Sequence, residues 1–479
     1  MIEQIAFLFL IYLSGLIIAL IIKNSQPLGF VLTSAIFWGA LNWVIINIFI
    51  ALIIKKLDMT LYLIIVGIQI TFMSIWIIKR NKPIKKRAVT SIIIFSLIVL
   101  SLELFFSEYN FTNITPDSLY VLKMSQVIAK TGFTNLRWDS MASFGYFIGM
   151  MQAAAKLINV DYLYILQPMF SMSFIFLFGY ILYELSEDYG STLVRVLFSF
   201  AATLFLFSST IMRFEFSYIH SNLITAIFLF LLIICYIFWE KTTDQSWLIY
   251  AILSGLGFSL TRTENPITLL IFVTLFLGIS RSKYAQRVRY IAPMIGLVAF
   301  FEAILLFIDS PHVKEMINPS MVFVFVVLLS FYLVFLLISK FDIIEKWIFP
   351  HLHKILTFFS LTVLFCAIVI KTNHMVVSSI TLFSSAVLQG GWTTCWLIVI
   401  PLLAIFSFRK ANTDPSFTLL QFGIPLYFIA ILIMSFIDGH PYTNPRWSSS
   451  PNRMFTQILP LGLLLITLTL GKIKPKNIS

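Results

Sequence analysis

Apolar runs of about 20 residues recur from one end of this 479-residue chain to the other, and each is long enough to cross the hydrocarbon core of a bilayer as a helix. No other feature narrows the fold so far. In lipid every backbone N–H and C=O must find its partner within the protein, so a spanning chain folds as helices or as a closed barrel. Barrel strands would alternate apolar and polar residues over ~10 positions, whereas these runs are continuous. The expected fold is an all-α polytopic membrane protein. Composition agrees: 59% of the residues are hydrophobic and 11% charged, where a soluble chain carries about a quarter charged residues. Cys235, Cys366 and Cys395 lie in or beside apolar runs without paired spacing, which argues against a disulfide framework or a zinc site.

Runs bounded by polar flanks fall near 5 to 22, 30 to 54, 60 to 78, 88 to 107, 163 to 184, 193 to 212, 218 to 239 and 247 to 261. Others follow near 266 to 280, 290 to 308, 320 to 339, 355 to 371, 392 to 408, 417 to 437 and 454 to 471. The reading is therefore about fifteen transmembrane helices. The formal charge of +12 would suggest nucleic acid in a soluble protein, but here it reports topology. Lys79 to Arg87, Arg281 to Arg289, Arg409 with Lys410, and the tail Lys472 to Lys476 are the densest basic loops. Short basic loops stay in the cytoplasm. With about fifteen spans all four fall on one side, which puts the N-terminus outside and the C-terminus inside; Lys55 and Lys56 break the rule. The first run follows only Glu3 and lacks a small-residue cleavage site, so it is expected to be a retained span. Residues 143 to 158, with Gln152 and Lys156, are short and polar for a span and are expected to lie at the outer face. Gly145, Gly149 and Ala153 form a small-residue ridge there, suited to close helix packing.

Ionisable groups near membrane spans are costly and usually mark a pathway or a site. In this chain they collect at the expected outer face. Loop 108 to 142 holds Glu108, Asp117, Lys123, Arg137 and Asp139; Arg213, Glu215 and His220 stand between spans; Arg262 and Glu264 lie in SLTRTENP; and Asp438, His440, Arg446 and Arg453 lie in DGHPYTNPRWSSSPNRM. Three of these stretches share a design. Thr115 can cap a helix opened by Pro116, placing Asp117 in its first turn. Asn265 and Pro266 start another helix just after Arg262, and Ser450 and Pro451 start a third with Arg453 in its first turn. A helix N-terminus beside an arginine is a ready phosphate site. Each residue also has a plainer reading, as a cap, a local Arg262–Glu264 ion pair or a snorkelling anchor. Arg213, Glu215 and His220 form a rim that ordinary loop polarity explains equally well. The six histidines are scattered, and no Walker loop, dinucleotide fingerprint or nucleophile elbow is present. No cofactor is fixed by the sequence, and a divalent metal is left open without support from it.

An outer loop opening on an acidic residue in TPDSLYVLKMSQVIAKTG, followed by a surface helix and a run of hairpins, resembles the GT-C superfamily of membrane glycosyltransferases. The passage from FGYFIGMMQAAAKLI through SWLIYAILSGLGFSLTRTENP is similar to the conserved module of that superfamily. The resemblance covers roughly half the chain, 88 to 310, and its motifs are loose. It divides the chain into an N-terminal three-helix extension at 1 to 87, the GT-C-like module at 88 to 310 with its acidic loop 108 to 142, and variable C-terminal helices at 311 to 479 with the outer loop 438 to 453. It implies Asp117 as the catalytic base and Arg262, Arg446 or Arg453 as the arginines that hold the donor's phosphate, with Glu264 beside Arg262 counted among the substrate-binding residues. Asp139, Arg213 and His220 are secondary candidates. The chain departs from the pattern in its three preceding spans and in Ser118, which stands beside Asp117 where many members carry a second acid.

The implied reaction moves a sugar from a polyprenyl-phosphate donor to a glycan or glycopolymer acceptor of the cell envelope. It would run on the extracytoplasmic face of the cytoplasmic membrane, with the lipid bilayer as partner and no nucleic acid. A carboxylate at a helix N-terminus is a weak base, so proton removal would come late, after an oxocarbenium-like centre has formed. The alternatives are an envelope polysaccharide polymerase or ligase, for which a larger outer loop is expected, and a lipid-linked-sugar flippase, for which charges spread through a central cavity are expected.

Overall fold

A computed structural model describes residues 2–22, 26–79, 90, 93–98, 101–102, 105, 116–132, 138–157, 162–218, 220–262, 265–279, 349–392, 395–408, 414–446 and 450–470. The helices α1 (Ile2–Ile22), α2 (Leu28–Ile54) and α3 (Met59–Lys79) come first, then α4 (Pro116–Thr131), α5 (Trp138–Leu157) and α6 (Tyr162–Leu185). Next are α7 (Thr192–Ser208), α8 (Thr210–Ser217), α9 (Ser221–Thr242), α10 (Gln245–Thr261) and α11 (Asn265–Ile279). The last are α12 (Leu352–Ile370), α13 (Thr372–Ser384), α14 (Cys395–Phe408), α15 (Pro415–Asp438) and α16 (Ser450–Leu470). The protein is a polytopic helical membrane protein. Seven described helices (α1, α2, α6, α9, α12, α15 and α16) are long and apolar enough to cross a membrane, or up to eight if α7 and α8 form one bent span.

That differs from a count of about fifteen. The runs at 290 to 308 and 320 to 339, and most of 88 to 107, lie outside the described residues. Others are short: α10 has 17 residues, α11 has 15 and α14 has 14. At 1.5 Å per residue these fall short of a ~30 Å hydrocarbon core. The expected span at 193 to 212 stops at Ser208. Ser209 is extended there and its hydroxyl accepts from Met212 N at 3.1 Å, so the serine caps a new helix and the chain turns by 87° into α8.

Small residues set the closest approaches. A Cβ on Gly15 would lie 1.8 Å from Ala35 O, and one on Gly39 would lie 1.9 Å from Ile11 O, so α1 and α2 touch backbone to backbone, as apolar helices do where lipid supplies no hydrophobic drive. Asn42 and Gln69 exchange side-chain hydrogen bonds at 3.0 and 3.1 Å and lock α3 onto α2. Helix α5 corrects the expectation of a surface element. Tyr146 to Ala155, Gln152 included, are buried without a break, and the helix packs on α2, α4, α6, α9 and α10. Its small-residue ridge does serve close packing: Gly145 abuts the backbone of Thr261 and Arg262, and Gly149 receives the Met124 side chain of α4.

Two ends of the bundle are thereby defined. At one, Gln26 donates to Asp244 at 3.2 Å and Tyr189 donates to Thr467 O. At the other, Gly132 sits against Ala51 O and Lys55, Gly145 against Arg262, and Trp392 against Asn452. Helices α3, α11, α14 and α16, which lead into the four basic loops, all point their C-termini to the first end. The expected site residues Arg262 and Arg453 belong to the second.

Candidate functional site

The site is built where five helices bring polar side chains to the second end. Helix α8 is a crossbar. The carbonyls of its last turn have no partner within the helix; Gln167 of α6 donates to Glu215 O at 3.1 Å and Ser171 donates to Phe216 O. Its first turn is pinned by Ile211 N donating to Gly391 O at 3.2 Å. So held, α8 buries Glu215 completely and leaves Arg213 exposed, with its guanidinium 3.4 Å from Thr210 Oγ1. Tyr218 and His220, which cap α8 and α9, both have extended backbone.

Asn222, in the first turn of α9, is the junction of the network. Its Nδ2 donates to Glu215 Oε1 at 3.2 Å, while its Oδ1 accepts from Arg262 Nη1 at 3.0 Å and from Gln457 Nε2 at 3.4 Å. Gln457 Oε1 in turn accepts from the Tyr427 hydroxyl. Both amide orientations follow from their neighbours: a flipped Asn222 would point its NH2 at a guanidinium and its oxygen at a carboxyl. All four residues around Asn222 are fully or almost fully buried, with Arg262 at 7% exposure.

A second strand of the site runs beside it. Arg453 is 8% exposed and donates from Nη1 to the Tyr218 hydroxyl at 3.0 Å, with its guanidinium carbon 5.5 Å from the ring centroid. The Tyr218 ring stacks on His220, centroids 5.3 Å apart at 14°. Burial, then the charges of Arg453 and Arg262, hold His220 well below its ordinary value of 6.5. The imidazole is therefore neutral, and it lies within the field of both arginines. Below this layer Thr225 donates to Thr261 Oγ1 at 2.9 Å, and Asn265 Nδ2 donates to Thr261 Oγ1 and Phe258 O, both at 2.8 Å. Asn265 thus satisfies the C-terminus of α10 and fixes the backbone from which Arg262 projects.

Of the residues singled out in the sequence, Arg262, Arg453 and His220 are brought together. Arg446 is exposed on the loop after α15, where its N–H donates to Asn444 Oδ1 at 3.0 Å, and it stands apart from this network among the described contacts. Pro116 does open α4, with Asp117 in the first turn; α16 does start at Ser450 with Arg453 in its first turn. The side chains of Asp117 and Asp139, and the whole of Glu264, lie outside the described residues. Glu215 has moved from loop rim to buried centre. Asn222, Gln457, Tyr427, Tyr218 and Gln167 carry no charge and were not singled out. One signal was available: Arg453 and Gln457 stand four apart, one helical turn, on the face of α16 that turns inward.

Taken together, fold and site define a polytopic helical membrane protein with a buried polar centre, bearing two arginines, at one end of its bundle. No protein family, no curated protein and no solved structure is detectably similar to the chain. What the centre can do is argued from its geometry alone.

Proposed function

We propose that the protein is an integral-membrane glycosyltransferase that moves a sugar from a polyprenyl-phosphate donor to a cell-envelope glycan or glycopolymer, in the manner of the GT-C superfamily. The observation that carries this reading is the pair Arg262 and Arg453, both buried and both bearing electrostatically on His220. Two arginines buried at the end of a membrane bundle mark a functional site, because ionisable groups are costly there. Their planar forks suit phosphate, and Arg453 lies in the first turn of α16, where the helix dipole adds to the attraction.

On this reading Arg262 and Arg453 hold the phosphate that departs, and this stabilisation carries most of the rate. Asp117 receives the acceptor's proton late in the transfer. The face that holds the site is extracytoplasmic, because the ends of α3, α11, α14 and α16 that lead into basic loops lie opposite. The test follows radiolabelled sugar from a polyprenyl-phosphate donor into polymer, using membranes with matched protein levels. Arg262→Lys keeps the charge but loses the fork and should raise the donor KM about tenfold. Asp117→Asn should lower transfer about a hundredfold. Near-normal transfer by Asp117→Asn would remove it as the base. Absence of transfer from every such donor by the unmutated protein would overturn the reading in favour of a polymerase or flippase.

A further inference from the structure

The hydrogen bonds around Asn222 have a direction. Tyr427 of α15 donates to Gln457 of α16, Gln457 donates to Asn222 of α9, and Asn222 donates to Glu215 of α8. Each donor in turn is polarised toward the carboxyl that ends the chain. Arg262 of α10 joins at the Asn222 oxygen, the one acceptor shared with Gln457. A guanidinium with several free torsions is thus aimed by an amide that is itself held on two further sides. An amide is the side chain that fits: the position needs an acceptor facing Arg262 and Gln457 and a donor facing Glu215. Leucine offers neither, and a carboxylate offers only acceptors.

We propose that Asn222 is the positioning residue of this site: it fixes the Arg262 guanidinium for phosphate by tying it to the Glu215 carboxyl. The proposal rests on the reading of Arg262 as a phosphate holder. It makes a prediction that a merely space-filling asparagine would not. In Asn222→Asp two carboxyls face each other at hydrogen-bond distance and share a proton. The charged groups around them are Arg262 from α10, Arg453 from α16 and the neutral His220 before α9, with the Tyr218 and Tyr427 hydroxyls adjoining. The shared proton is lost as pH rises, and the second negative charge then pulls Arg262 away from an incoming anion. Binding in this variant should therefore weaken with pH relative to the unmutated protein. Exchanging the two groups, Asn222→Asp with Glu215→Gln, leaves one carboxyl and one amide with a donor facing an acceptor again, and should restore both affinity and its pH profile.

The experiment measures affinity of the full chain in lipid nanodiscs for a short-chain polyprenyl phosphate between pH 5 and 8, always as the ratio to the unmutated protein. Titrating the ratio cancels the probe's own ionisation. For Asn222→Asp a loss of about tenfold is expected at pH 8, the size of a lost hydrogen bond to a charged group, shrinking toward none at pH 5. Asn222→Leu should lose about tenfold at every pH. The exchanged pair should return to within about twofold. A ratio for Asn222→Asp that does not change with pH, or an exchanged pair that binds no better than the single variant, overturns the proposal. Should Asn222→Asp alone fail to fold, the exchanged pair decides: recovered folding and binding support the proposal, and failure sinks it. Arg262→Ala separates the two claims. If it binds the probe normally, the phosphate reading itself fails; if it loses binding while Asn222→Asp does not, only the role of Asn222 falls.

Discussion

His220 is the residue whose environment makes the clearest demand on solution behaviour. Its folded pKa lies well below 6.5 because it is buried and sees Arg453 and Arg262, so the unfolded chain binds a proton that the folded chain refuses. The stability this contributes is complete above the unfolded value and is lost as pH falls through 6.5 toward the folded value. Melting of the purified protein in detergent should thus show stability falling as pH drops below 6.5, and His220→Gln should flatten that slope. An unchanged slope would place the histidine in water. Arg262, Arg453 and His220 were legible in the sequence because a charged or titratable group stands out in a chain that is 11% charged. Asn222, Gln457 and Tyr427 were not legible. Amides and phenols occur in spans for packing and capping, and only the fold reveals that these three point at one another. Glu215 was seen but misjudged, since whether a carboxyl near a span end is solvated depends on which way the next helix turns.

At the scale of elements, the helix boundaries near Ile22, Ile54, Thr242 and Leu470 could be read from apolar length, but not the break at Ser209 that turns α8 into the site. The Ser208–Ser209 turn looks like any polar pair inside an apolar run. Helix α13 mixes the usual amphipathic pattern: Ser378 and Thr381 face inward with Met375 and Leu382, while Val376, Val377, Ile380 and Phe383 are exposed, and an apolar-run reading sees only a loop there. Its inward face is bonded, with Ser378 and Ser435 hydroxyls 2.7 Å apart and His374 Nε2 2.9 Å from Ser435 O. Gly145 tests how firmly elements position the site. Its φ of 63° and ψ of −175° suit only glycine, and a Cβ would fall 2.4 Å from the Thr261 carbonyl and 2.7 Å from Arg262 N. Gly145→Ala should destabilise by about 2–4 kcal/mol and weaken donor binding as α5 pushes Arg262 aside. Gly67→Ala on α3, with nothing within 4 Å, should leave melting and binding unchanged. Equal behaviour of the two variants would mean that α5 does not support Arg262.

For the whole molecule the sharpest expectation is sidedness. Thr443 and Gln245 are exposed at opposite ends of the bundle, so cysteines placed there in a Cys366→Ser background should react with a membrane-impermeant reagent from opposite sides of the bilayer, Thr443→Cys from outside. Reaction from one side by both would undo the topology. The order in which the chain is made adds a constraint of its own. Glu215, Asn222 and Arg262 are translated well before α16, yet Arg453 and Gln457 complete their surroundings. A nascent chain must therefore carry an unfinished polar centre in or near the bilayer until its last described helix emerges, sheltered by water, by the insertion machinery or by one another. The donor site cannot close around a phosphate before that helix docks, so an incompletely synthesised copy is expected to be inert.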